Sequence, residues 1–360
     1  MSDLKINNIT NRTGDTGPTI AGVSTVSSSA FMTMPIGDTE IRGAGSGRGI
    51  VHGNYPAPSS KEITKIEIAT TGNATDFGDS AVSRLGTASF GSSTRGIFAG
   101  GQPGASPYYI TDIDYVITSS GGGANNFGDL QKGRLDFLDA RRGSAGGGND
   151  STRGIIAGGN TPGDGGARKS MDFVTMASTG DSSDFGELIQ ERFDFNGSVG
   201  NGVRAIFAGG YSQTSPAATF FKIIETVNVQ TGGGATKFGE MSDNRGRTTS
   251  TSNSTRGLVG MSGGTGPTNV TNIIEYITLS TEGNVTDFGD LVHSVLQSTA
   301  CSSSTRGLIM GGQSPVSPYP ETNIIQFVTI ASTGNATDFG DLVTAARHIS
   351  AASDVNGGLG

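Results

Sequence analysis

The chain has no tryptophan, one cysteine and three histidines. A single thiol, Cys301, permits no internal disulfide and no zinc site built on paired cysteines. His52, His293 and His348 do not sit at metal-ligand spacing, so no metal and no cofactor is expected. Basic residues are in the minority: 24 Lys and Arg against 32 Asp and Glu give a net charge of −8. Nucleic-acid binding normally leaves a basic footprint, and none is visible. No apolar run approaches the roughly 18 residues of a transmembrane helix, so no membrane span is expected. Met1-Ser2-Asp3-Leu4-Lys5 lacks a charged stretch followed by an apolar one, so no secretory signal is expected and synthesis in a cytosol is.

Glycine, by contrast, is abundant: 59 of 360 residues. Such an excess fits collagen, disorder or a turn-dense β protein. No strict Gly-X-Y triplet persists, which removes collagen. β-branched and aromatic runs recur at fixed spacing, which disfavours disorder. A turn-dense β protein remains.

Two motifs alternate six times each. The first is Arg, a small residue, an apolar run and then glycine, beginning at Arg48, Arg95, Arg153, Arg204, Arg256 and Arg306. The second is Phe-Gly-acid, ending at Asp79, Asp129, Glu187, Glu240, Asp290 and Asp341. The period near 50 residues is that of propeller blades. Fourteen residues before each motif phenylalanine stands Ile63, Ile113, Met171, Ile224, Ile274 or Ile325. Eleven before it stands Ile66, Val116, Val174, Val227, Ile277 or Val328. Such columns fit a strand buried on both faces. A further small, polar strand follows each Phe-Gly-acid, as in Arg84 to Phe90, and suits the crowded inner edge of a propeller.

Four strands per repeat and six repeats predict an all-β, six-bladed propeller over residues 48–360. The first repeat lacks a small inner strand before it, and the last has a spare one at about Arg347 to Val355. The C-terminal strand is therefore expected to close the first blade and hide its edge.

The order of apolar run, Gly-Gly, strand, aromatic and polar residues resembles the Kelch repeat, with phenylalanine where Kelch has tryptophan. The wording TGNATDFGDL followed by SSSTRG and an apolar run is similar to repeats in virion structural and tail-fibre-like proteins of marine bacteriophages, cyanophages especially. Gly17 to Thr25 resembles the start of such proteins. The resemblance implies a virion component and does not say which part of the particle.

Residues 1–47 do not match the repeat and are too short to build a core of their own. They read as an N-terminal arm that docks on other virion proteins, of tail or capsid, or else folds back on the propeller or is a frayed tail.

The six arginines and six acids form two rings, which would be ion sites or ties between adjacent strands or blades. Residues present in every blade point to scaffold, because a site breaks symmetry. The turn Thr71 to Asp76 only loosely resembles the Asp box of sialidases, and no carboxylate pair stands out for glycoside hydrolysis. No catalytic residues and no enzyme activity are expected. Pro162 to Gly166 lacks EF-hand spacing and reads as a flexible turn. Cys301 reads as a small buried side chain.

The better functional candidates are the loops after each Gly-Gly, which differ in length and should share one face. Five of the seven tyrosines lie there: Tyr55, Tyr108, Tyr109, Tyr211 and Tyr319. Tyrosine suits recognition of a host-surface glycan or protein; alternatively, these residues only stiffen exposed loops. The expectation is a tail-associated fibre, tip or adaptor engaged in host attachment. The alternative is a capsid decoration or accessory protein with a passive propeller.

Overall fold

In a computed structural model, the described residues are 47–53, 61–103, 110–131, 145–150, 152–160, 166–197, 199–213, 218–266 and 269–355; for 145–149 only the backbone is described. They form six blade sheets of four antiparallel strands, one of which gains a fifth strand in parallel, two small two-stranded ribbons and no helix. The expected arm lies outside the described residues, apart from Gly47.

Each blade has the same order from the axis outward: a small polar strand, the Arg strand, the apolar-column strand and the Phe-Gly-acid strand. Blade 6 shows the plan, with Thr299–Ser302, Arg306–Met310, Ile324–Thr329 and Thr337–Asp341 paired in that order. In blade 1 the innermost strand is Ser350–Ser353, which pairs with Arg48–His52. The C-terminal strand thus closes the first blade, as the repeat arithmetic requires. The small strand is shorter than the sequence suggests. It begins at Ala88 in blade 2, and Arg84 to Thr87 belong to the connector before it.

Both apolar columns are buried along their whole length. They face opposite ways, and every pair of neighbouring blades shares one apolar seam. Between blades 1 and 2, for example, Ile50, Ile63 and Phe77 meet Phe98 and Val116. Between blades 6 and 1, Leu308, Ile325 and Phe339 meet Ile66 and Ile68. The apolar area removed from water at these seams is the main force closing the ring.

The Phe-Gly-acid motif owes its glycine to the same seam. At all six seams, the turn after the third strand of the next blade donates two backbone amides to the outermost strand. Gly334 and Ala336 donate to the carbonyls of Phe288 and Asp290; Gly72 and Ala74 do the same to Phe339 and Asp341 across the closure. The two backbones approach so closely that a Cβ on Gly289 would lie 2.5 Å from the Gly334 oxygen. Gly289 also has φ 146°, a region that side chains rarely adopt.

The axis is not an open pore. Phe195–Gly197 leaves the plane of blade 4, pairs in parallel with Thr248–Ser250 of blade 5 and lies against the innermost strands of the other blades. Asn196 reaches from blade 4 to the Ser298 carbonyl of blade 6. Around it, inner-strand serines satisfy carbonyls of the neighbouring blade: Ser89 donates to Ala351, Ser350 to Thr87 and Ser302 to Ser252.

Candidate functional site

The arginines of the repeat point from one blade to the next. Arg95 donates to the Met176 carbonyl at 2.8 Å, and Arg256 to Ile330 at 2.8 Å. Arg153 donates to Gln230 at 2.7 Å, Arg306 to Ile68 at 3.2 Å, and Arg48 to Thr118. Arg204 instead reaches Glu282 of blade 5 at 3.7 Å. Four of the guanidinium groups also lie over an aromatic ring of their own third strand: Tyr115, Phe173, Tyr276 and Phe327, at 4.4 to 4.9 Å. These half-buried arginines are engaged on both sides.

The acids of the second ring lie apart, one on each outermost strand. Their backbones form the seams. Asn73, Asn284 and Asn335 accept from the amides of Asp341, Glu240 and Asp290 respectively, reinforcing the same joints. Glu187 pairs with Lys169, and Glu240 with Lys222 and Lys237. The two lysines hold the Glu240 carboxyl down at about 2. Nothing in this arrangement gathers the six acids around one ligand.

A third set of charges was less visible in sequence. Arg84, Arg192 and Arg245 are buried and pair with Asp114 at 2.7 Å, Glu225 at 3.1 Å and Glu275 at 3.0 Å. Each arginine stands seven residues after a motif phenylalanine, Arg84 and Arg245 in connectors between blades and Arg192 at the end of blade 3's outermost strand, Ser183–Arg192. Each acid stands thirteen before the next one, in the third strand. Where the connector residue is apolar, the acid is absent: Val295 faces Gln326, and Ala346 faces Thr64. Gln326 replaces the ion pair by accepting from the His293 amide and donating to the His293 carbonyl. This paired change between repeats is the signal that identifies the contact.

Of the loop tyrosines, Tyr55, Tyr108 and Tyr109 lie outside the described residues. Tyr211 is only 8 % exposed. Its ring stacks on Phe220 at 5.1 Å and leans on Phe193 at 4.2 Å. As a recognition residue it is therefore corrected: its area is spent anchoring its own loop. Tyr319 is half-buried, with φ 61°, beside the exposed Val316. Its amide donates to the Val316 carbonyl, and its own carbonyl accepts from the Gln313 side chain.

His52 and Cys301 are buried. Burial, helped by the Arg84 charge, lowers the His52 pKa to about 3. Burial pushes the Cys301 thiol up to about 12, which keeps it inert. Among the described residues no group of three or more His, Cys, Asp or Glu is placed to hold a metal.

Among the described residues, those directly after Gly-Gly and the connectors between blades meet on one face, as Leu85 pairs with Gln102 and Leu296 with Gln313. On that face a cleft of about 340 Å³ opens between the connector Asp243 to Arg245 and the residues Gly263 to Thr265, Asn269 and Thr271. A ring of left-handed residues surrounds the axis there: Asp194, Arg247, Gln297, His348 and Gly86, with φ from 52° to 64°. Each stands nine residues after a motif phenylalanine. They are linked by backbone hydrogen bonds, Arg247 to Asp194, Gln297 to Arg247, His348 to Gln297 and Gly86 to His348. The backbone repeats from blade to blade, but the side chain does not.

Comparison with protein-family models and with curated proteins found no match to this chain.

Proposed function

We propose that the chain is a non-enzymatic bacteriophage virion structural protein: a tail-associated fibre, tip or adaptor propeller. Residues 1–47 anchor it to other virion proteins, of tail or capsid, and its variable face meets a host-surface glycan or protein. The virion assignment rests on the likeness of the repeat wording to marine phage proteins, and the Kelch-like reading on the order of motifs within the repeat.

One observation carries the recognition reading. The seams are built the same way six times, whereas one face changes in loop length and in side-chain chemistry from blade to blade. Identical parts suit a scaffold, and differing parts suit a binding surface. The rigid ring presents that surface with little ordering entropy to lose on contact. Several copies on one particle would then hold by multivalency.

The test is binding of the purified full chain to host cells, with competition against intact virus. Saturable binding that blocks adsorption is expected. A folded chain that neither binds nor competes would favour the head decoration or accessory reading, with the propeller as a passive knob.

A further inference from the structure

The cleft of about 340 Å³ beside Gly263 lies where blade 5 departs from the repeat. In blade 4 the bridge between connector and loop joins Phe193 to Tyr211, whose rings touch at 4.2 Å. The same bridge in blade 5 joins Gly246 to Gly264, which have no side chains to occupy the place. The connector departs as well. Asp243 stands five residues after its motif phenylalanine, and the corresponding residues of the other repeats are Val82, Lys132, Gln190, His293 and Thr344. An acid occurs there once. A site is expected to break the symmetry of the scaffold in this way.

The lining is polar and its groups are available. Asp243, Asn244, Thr265 and Asn269 line the cleft and are exposed, with half-buried Thr271 and Ile273 beside them. Among the described residues the Asp243 and Asn244 side chains make no hydrogen bond and no ion pair. Lys222, whose charge reaches Asp243, is itself held by Glu240 at 2.9 Å. Asn269 donates to the Thr265 hydroxyl at 2.9 Å, and the Ile273 amide donates to the Thr271 hydroxyl at 3.1 Å. Both hydroxyls keep a proton to donate, and Asn269 keeps its carbonyl oxygen as an acceptor. Arg245 also borders the cleft, but Glu275 neutralises it at 3.0 Å. The uncompensated charge of the lining is the one carboxylate of Asp243.

We infer that this cleft binds a neutral sugar residue of a glycan. The inference rests on the recognition reading above and names its ligand class. The volume falls in the range of small-molecule clefts, roughly 300–1,000 Å³. A carboxylate accepts from two hydroxyls at once, the amides both donate and accept, and the threonines donate. A ring bearing adjacent hydroxyls answers all three, and its C–H face suits Ile273. The Asp243 charge repels an acidic sugar. A protein partner would bring an apolar or aromatic anchor, and these side chains offer it a single apolar wall.

The experiment uses the full chain, with Asp243→Ala and Asp243→Asn as variants. Glucose, galactose, mannose and N-acetylglucosamine are titrated by ligand-observed NMR, with glucuronate and galacturonate as the charged counterparts. Thermal unfolding is recorded in parallel. At least one neutral sugar is expected to bind, more tightly than either uronate. Asp243→Ala is expected to lose about tenfold or more in affinity. Asp243→Asn is expected to narrow the gap between neutral and acidic sugars. Tm is expected to stay level, because the Asp243 side chain holds nothing in the fold. A fall in Tm in both variants would make Asp243 a packing element and overturn the inference. Sugar binding unchanged in Asp243→Ala, or tighter binding of a uronate, would also overturn it. If the chain binds host cells but no sugar, the inference fails in favour of a protein ligand and the recognition reading stands; if it binds neither, both fail.

Discussion

The guanidinium of Arg192 and the carboxylate of Glu225 meet at 3.1 Å with both side chains wholly withdrawn from solvent. Arg192 also donates to the carbonyls of Gly209, Ile223 and Phe207, and Glu225 accepts from the Ile189 and Gln190 amides. The pair therefore ties the end of blade 3's outermost strand, Ser183–Arg192, to the second and third strands of blade 4.

Breaking the pair leaves a buried charge without its partner. Arg192→Met alone, or Glu225→Gln alone, is expected to cost about 3–5 kcal/mol in urea unfolding. Blade 6 achieves the same joint with Val295 and Gln326. Replacing Arg245 by Val and Glu275 by Gln together should therefore cost far less than the sum of the two single changes. A double-mutant cycle measures that coupling.

The seam glycines give a second prediction. Gly289→Ala places a methyl against the Gly334 carbonyl and forces an unfavourable φ. A loss of about 1–3 kcal/mol in equilibrium unfolding is expected. Gly334→Ala at the same joint has open space around the added Cβ. Its φ of 157° still penalises the change, so a smaller loss is expected.

His52 sets a pH dependence. Its folded pKa of about 3 lies below the ordinary value of 6.5, chiefly through burial. The unfolded chain thus takes up the proton first as pH falls. The stability it contributes is whole above about pH 6.5 and is lost progressively down to about pH 3, at roughly 1.4 kcal/mol per pH unit. His52→Gln is expected to show a shallower loss of stability between pH 6.5 and 4.5 than the parent. Parallel curves would contradict this assignment.

The two described loop tyrosines should behave oppositely. Tyr211→Ala removes a ring held between Phe193 and Phe220 and is expected to destabilise by about 3 kcal/mol. Tyr319→Gly suits the existing φ of 61° and is expected to leave stability within about 1 kcal/mol. On the recognition reading, only the Tyr319 change weakens binding without weakening the fold. Tyr108→Ala with Tyr109→Ala is expected to do the same.

The blade plan was legible in sequence because each strand repeats its burial. Ile63 and Ile66 stand in columns that never change character, and Phe77-Gly78-Asp79 recurs with its glycine intact. The closure by Ser350–Ser353 followed from counting strands. The buried ion pairs were harder to see, since Arg84 and Asp114 lie 30 residues apart and are joined only by comparing repeats at two offsets. The left-handed ring was harder still. Asp194, Arg247, Gln297 and His348 share a backbone conformation and no side-chain chemistry, so no residue column marks them. Tyr211 was misread because a tyrosine in a variable loop looks alike whether it faces solvent or folds under its own loop.

The central claim is that recognition belongs to the face carrying the variable loops and the left-handed ring. Hydrogen–deuterium exchange of the full chain, with and without purified host-surface polysaccharide, tests it most directly. The account predicts protection confined to residues 191–197, 244–248, 262–272 and 312–323. Protection centred instead on the Phe-Gly-acid strands around the outer perimeter would contradict it.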